Sequence, residues 1–153
     1  MANTYSQLYF QIVFTVKGRE NLISKNNKEE LQKFITGVIQ NRNAKLYAIH
    51  CMPDHTHIFI STKPSLLLSD LVRDIKAASS KFINEKNWVM GKFNWQEGFG
   101  AFTYSHSQID AVVKYINNQE EHHKKFSFKD EYISLLQKFN IDYQNEYLFD
   151  WIN

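Results

Sequence analysis

Apolar and polar positions alternate first near the start of the chain. In "YSQLYFQIVFTV", residues 5 to 16, Leu8, Phe10, Ile12, Phe14 and Val16 occupy every second position, the period of a strand that buries one side. The period then lengthens. "NNKEELQKFITGVIQNRN" sets Leu31, Phe34, Ile35, Val38 and Ile39 three and four residues apart behind asparagines suited to capping, and predicts an amphipathic helix packed on the sheet. "AKLYAIHCM" and "HTHIFIST" flank Pro53-Asp54 and predict two antiparallel strands joined by a tight turn. "SDLVRDIKAASSKFINEK" carries Leu71, Ile75, Ala78 and Phe82 on one stripe, with Ser69 as cap, and predicts a second helix.

The aromatic stretch "NWVMGKFNWQEGFGAFTYS" holds three of the five glycines and reads as a loop running into a strand at residues 99 to 104. A third helix is expected over about 107–126, opened by Ser107 and Asp110 as a capping box and built on Ile109, Val112, Val113 and Ile116. "SFKDEYISLLQKF" predicts a fourth, capped by Ser127, with Tyr132, Leu135, Leu136 and Phe139 on its apolar face; helix and tail run from 127 to 153. The order strand, helix, two strands, helix, strand, two helices predicts an α+β sandwich around an antiparallel sheet.

Composition narrows the setting. With 153 residues and 43% hydrophobic content, the chain can bury one ordinary core, so a single domain over 1–153 is expected. The one cysteine, Cys51, cannot form an intramolecular disulfide, which fits a reducing, intracellular setting. No apolar run approaches bilayer length and no basic leader precedes one, so a cytoplasmic protein with no membrane partner is expected. A net charge of +2 is compatible with a polyanionic partner without requiring one.

Chemistry enters at "CMPDHTHIFIS". Residues two apart on a strand share a face, so His55 and His57 project together with Cα atoms roughly 6 to 7 Å apart, a spacing that suits two nitrogens on one metal ion. Thr56, Ile58 and Ile60 then face the other way, under covering helices, and the histidine side is left open to substrate. By itself the pair also fits surface or hydrogen-bonded core histidines. In "KYINNQEEHHKK", Tyr115 and Gln119 lie one helical turn apart on the border of the apolar stripe, where they either cover the core edge or reach a cleft. His122, His123, Lys124 and Lys125 read as a solvated or phosphate-facing surface. Arg73, Lys76 and Lys81 lie off the stripe of the second helix, as phosphate contacts or as a solvated basic face. Trp95, Phe99 and Phe102 suit core packing or base stacking.

Together, "MPDHTH" before a strand and "YINNQEEHHKK" on a later helix closely resemble the single-tyrosine HUH transposases of bacterial insertion sequences, the TnpA, IS200-like type. The middle residue of the histidine motif is Thr56 rather than a bulky hydrophobic one. The resemblance extends over nearly the whole chain, including "DLVRDIKAASSKFI" and "WQEGFGAF". It implies a ferredoxin-like or RRM-like sheet, the HUH endonuclease fold, with His55, His57 and Gln119 as ligands of Mg²⁺ or Mn²⁺ and Tyr115 as nucleophile. It further implies single-stranded DNA with hairpins at element ends as partner, a homodimer, no nucleotide cofactor, and action at the nucleoid. The implied activity is transposition by cleavage and rejoining through a 5′-phosphotyrosine. A phenol with a pKa near 10 needs a cation or base to attack at neutral pH, which makes a divalent ion beside Tyr115 chemically reasonable. Two other readings stand beside it: a domesticated relative acting at chromosomal palindromes, and a noncatalytic RRM-like nucleic-acid binder.

Overall fold

A computed structural model describes residues 4 to 144 of the chain. Its elements follow the expected order: β1 (Tyr9–Thr15), α1 (Lys25–Asn41), β2 (Lys45–Cys51), β3 (His55–Ser61), α2 (Leu68–Lys86), β4 (Gly100–Tyr104), α3 (Ile109–Asn117), the short α4 (Gln119–His122) and α5 (Phe128–Lys138). The strands form one antiparallel sheet in the order β2-β3-β1-β4. That order, with a helix crossing after β1 and another after β3, is the ferredoxin-like arrangement anticipated from the sequence.

The sheet is covered on both faces, and β1 shows why. Ile12, Phe14 and Val16 join Ile58 and Ile60 of β3 in a core closed by Leu31, Ile35 and Ile39 of α1 and Leu71, Val72 and Ile75 of α2. Its alternate residues are buried too. Val13 packs with Phe102 and with Phe128, Tyr132, Leu135 and Leu136 of α5, while Tyr9 and Phe59 pack with Val112 and Ile116 of α3. The single buried side expected of β1 is therefore corrected to two. The polar residues that disguise the second side, Gln11 and Thr15, are fully buried.

Local chemistry sets the boundaries, not always at the expected residue. Helix α1 follows Ser24 rather than an asparagine, and α2 follows Leu67 rather than Ser69. Ahead of α3 the capping box pairs Ser105 with Gln108 around a 3₁₀ turn, where Ser107 and Asp110 were expected. Ser127 caps α5 as anticipated, its hydroxyl accepting from the Asp130 amide. Asn43, Asn87 and Asn140, which follow α1, α2 and α5, are left-handed, a conformation that asparagine tolerates better than most residues.

The third helix expected over 107–126 is interrupted. At Asn118 the backbone leaves helical geometry (φ −100°, ψ 19°), its amide shared between the Lys114 and Tyr115 carbonyls, and α4 resumes at Gln119. Asn117 and Asn118 are poor helix formers, so the ladder yields there at low cost. The part of the expected tail from residue 145 onward lies outside the described residues.

Candidate active site

Register fixes the first two side chains. His55 and His57 stand opposite Thr15 and Val13 of β1, so both imidazoles leave the sheet on the face covered by α3 and α5. They are 1% and 0% exposed, with rings edge-on at 5.2 Å. The expectation of an open histidine face is overturned by α5, whose Phe128 ring stacks on His55 at 4.0 Å.

Each ring is held through the nitrogen that faces away from the centre. His55 Nδ1 lies 2.7 Å from Asp54 Oδ1, His57 Nδ1 2.9 Å from Gln11 Oε1, and His123 Nδ1 3.0 Å from the Phe126 carbonyl oxygen. Gln11 is oriented by its other end, which donates to Tyr104 Oη at 2.7 Å. All three partners accept hydrogen bonds, so in the neutral rings Nδ1 carries the proton and Nε2 the lone pair.

Those Nε2 atoms converge. His57 Nε2 is 3.0 Å and His123 Nε2 3.1 Å from Glu131 Oε1; His123 Nε2 is also 3.0 Å from Gln119 Oε1. His55 Nε2, 3.9 Å from the same Glu131 oxygen, is buried and has no hydrogen-bond partner among the described residues. Donor atoms of His55, His57, His123 and Glu131 all fall within 4.8 Å of one another. Buried nitrogen lone pairs facing a carboxylate are costly unless something positive sits between them.

Tyr115 enters from α3. Its hydroxyl donates to Glu131 Oε2 in a short hydrogen bond, and its ring meets that of His57 edge-on at 5.9 Å. Gln119, fully buried just past the Asn118 break, donates from Nε2 to the same Glu131 oxygen at 3.0 Å. His122 approaches Glu131 Oε2 at 3.2 Å, but without hydrogen-bond geometry at its buried Nε2. A cavity of about 300 Å³ opens beside the phenol, lined by Tyr115, His122, Phe126, Glu131, Leu135 and Lys138.

Electrostatics follow from this packing. Burial lowers His55 to about 4 against the opposing hydrogen bond to Asp54, so the ring stays neutral at physiological pH. Burial pulls the Glu131 carboxyl upward, yet the imidazoles that face it, His57 first and then His123, outweigh burial and hold the group well below the usual carboxylate range. The Tyr115 phenol is pushed far above its ordinary value by burial and then by the Glu131 charge. A cation at the converging nitrogens opposes both effects on the phenol.

The sequence-derived candidates thus divide. His55, His57, Tyr115 and Gln119 come together within one chain. Arg73, Lys76 and Lys81 do not join them, because α2 lies across the sheet. Arg73 is exposed and bonds to Asp70 at 3.1 Å, and Lys81 reaches Glu85 at 3.9 Å. Lys76, lowered to about 8 by burial against the charge of Glu97, donates to the carbonyls of Gln96 and Gly98 at 2.8 and 2.6 Å. Arg73 and Lys76 share a groove of about 510 Å³ with Trp95 and Phe99. Trp95 and Phe102 are core residues.

His123, expected on a solvated or phosphate-facing surface, instead turns inward at 12% side-chain exposure to meet Glu131, a residue not singled out from the sequence, though each left a signal. Tyr115, Gln119 and His123 are successive fourth residues, one helical stripe. Glu131 interrupts the apolar face formed by Phe128, Tyr132 and Leu135 at helical spacing, an anomaly for a carboxylate.

Comparison with known proteins converges on one group. A family model described as "Transposase IS200 like" matches residues 4–119. The ISDra2 transposase TnpA of Deinococcus radiodurans is 24% identical over 122 residues, 75% of this chain and 86% of the relative. Among solved structures, a protein assigned as a transposase from Deinococcus radiodurans R1 superposes with a TM-score of 0.61 at 20% identity, covering 78% of this chain and 96% of the other. A REP-associated tyrosine transposase bound to a REP hairpin superposes with a TM-score of 0.59 at 16% identity, covering 100% of this chain and 92% of the other.

Proposed function

Because this chain belongs to the IS200-like transposase family, we propose that it moves DNA by single-strand cleavage and rejoining, with Tyr115 as nucleophile. The supporting observation is the meeting, inside one chain, of the Tyr115 phenol with the buried His55 and His57 pair around Glu131. A noncatalytic binder would leave that convergence unexplained.

The residues present fit a divalent ion. The proton-free, unpartnered Nε2 of His55 and the Nε2 of His57 are its first protein ligands, with Gln119 as the third side chain of the centre. Mg²⁺ or Mn²⁺ there would neutralise charge on a DNA phosphate and favour the phenolate of Tyr115. Asp54 and Gln11 hold the two rings in the ligating tautomer. Glu131 holds the phenol until substrate enters through the adjoining cavity. In the reaction the Tyr115 Oη–phosphorus bond forms as the phosphorus–O3′ bond breaks, giving a 5′-phosphotyrosine and a 3′ hydroxyl. Attack by a 3′ hydroxyl on that ester reverses the exchange and rejoins strands without ATP.

The α2 groove is the proposed contact for hairpin phosphates, with Arg73 as its exposed cation and Lys76 fixing the groove wall, while Lys81, on α2 but outside the groove lining, is a proposed outer phosphate contact. Tyr115 serves the histidines of its own chain, so a homodimer would pair two complete centres. Action in the cytoplasm at the nucleoid accords with the absence, among the described residues, of a helix long and apolar enough to cross a membrane.

Incubating the protein with labelled single-stranded DNA carrying element-end hairpins and Mn²⁺ should give a DNA-linked band on a denaturing gel. Tyr115→Phe should abolish the band while hairpin binding persists. An adduct that survives the substitution removes Tyr115 from its role.

A further inference from the structure

We propose that His123 and Glu131 are further ligands of the metal ion, adding a third imidazole and a carboxylate to His55, His57 and Gln119 and giving a set that prefers a transition-series divalent ion over Mg²⁺. The inference rests on the reading above and deepens it. Both residues lie beyond the segment matched by the family model, which ends at 119.

The protons on the three rings are already committed. An acceptor outside the centre claims the Nδ1 proton of each ring: the Asp54 carboxylate, the Gln11 amide oxygen and the Phe126 carbonyl. Three lone-pair nitrogens therefore point inward, at Glu131 Oε1 and Gln119 Oε1, which are also acceptors. The opposite ends of the two latter groups are committed elsewhere. Glu131 Oε2 receives the Tyr115 hydroxyl and the Gln119 amide, whose donation turns Gln119 Oε1 toward His123. Acceptors thus meet acceptors at 3.0 to 3.1 Å, with His55 Nε2 unpartnered beside them. Full protonation of the rings is one escape, but it would crowd three cations into a buried cluster around Glu131. One divalent ion satisfies every inward lone pair at once.

The donor set speaks to which ion. Mg²⁺ demands oxygen ligands and keeps water, whereas imidazole nitrogens suit the first transition series. Three nitrogens and one carboxylate oxygen therefore discriminate against Mg²⁺, and the Glu131 charge offsets part of the ion's own. A ligand drawn from α5 also makes the helix that closes the histidine face part of the metal centre.

The test uses Co²⁺, whose visible absorption reports ligand type and number, with the intact protein stripped of metal. Wild type should bind Co²⁺ with a ligand-field band that a thousandfold excess of Mg²⁺ does not remove. Glu131→Gln and His123→Ala should each weaken binding by at least about tenfold and shift the band, as His55→Ala and His57→Ala do. His106→Ala, outside the centre, should behave as wild type. Circular dichroism monitors folding, and His123→Ala, at the more exposed edge, carries the test alone should Glu131→Gln not fold. If His55→Ala and His57→Ala lose Co²⁺ while His123→Ala and folded Glu131→Gln bind normally, the wider ligand set is wrong and the simpler metal reading stands. If all four variants bind normally, both fall. Displacement of Co²⁺ by equimolar Mg²⁺ overturns the stated preference.

Discussion

Gln11 is polar, sits in the middle of a strand and is fully buried, because one end of its amide receives His57 Nδ1 and the other donates to Tyr104. Gln11→Leu should leave the fold largely intact and weaken metal affinity by about 10- to 100-fold, since outer partners fix tautomer and ring orientation; a metal titration equal to wild type would remove Gln11 from that role. Protons act at the same scale. Burial lowers both His50 and His55 to about 4, with Lys28 adding to the effect at His50. Their folded values lie below the unfolded 6.5, so the stability gained by keeping these rings neutral is complete above pH 6.5 and is lost as pH falls toward 4. The loss is on the order of 2–3 kcal/mol for His55 and less for partly solvated His50. Melting temperatures of metal-free protein measured from pH 7.5 to 4.5 should fall steadily, and a flat profile would contradict this account. The sequence marked His55 and His57 because two residues on one strand share a face whatever the remaining chain does. It marked His123 and Glu131 far less, since their meeting with His57, 74 positions from Glu131, depends on how separate helices dock.

Among elements, α5 shows how much of a centre can hinge on one close approach. A Cβ at Gly100 of β4 would lie 2.6 Å from the Tyr132 hydroxyl of α5, nearer than packed atoms tolerate. Gly100→Ala should therefore push α5 outward, costing roughly 1–3 kcal/mol and weakening metal binding through Glu131. Thermal denaturation checks the first effect and Co²⁺ titration the second; an unchanged protein would show that the contact relaxes freely. The position of α5 was legible from Ser127 and the apolar spacing after it. Its burial of the histidine face was not, because the stripe shows that a helix packs and leaves open where. The break at Asn118 was hidden too: the apolar repeat of Ile109, Val112 and Ile116 ends before it, and hydrophobic periodicity is blind to a pause among polar residues.

For the molecule as a whole, alternation and spacing disclosed the strand and helix order, and the resemblance anticipated the ferredoxin-like sheet. Burial of both sheet faces stayed hidden, since the second face carries the polar residues that serve the histidines and so imitates a solvated surface. Under the proposed reading each chain carries its own phenol and histidine pair, so each subunit should work alone. Mixing Tyr115→Phe subunits with His57→Ala subunits should restore no DNA adduct, because neither chain holds both groups; appreciable recovery would demonstrate sharing between chains.

The match to the family model ends at residue 119, twelve positions before the carboxylate that ties phenol, amide and imidazoles together (131 − 119 = 12). The candidate centre thus stands on two supports, its histidines on a strand of the sheet and its carboxylate on α5. Exchanging α5 alone would therefore change the charge beside the Tyr115 phenol while leaving the strand order of the sheet in place.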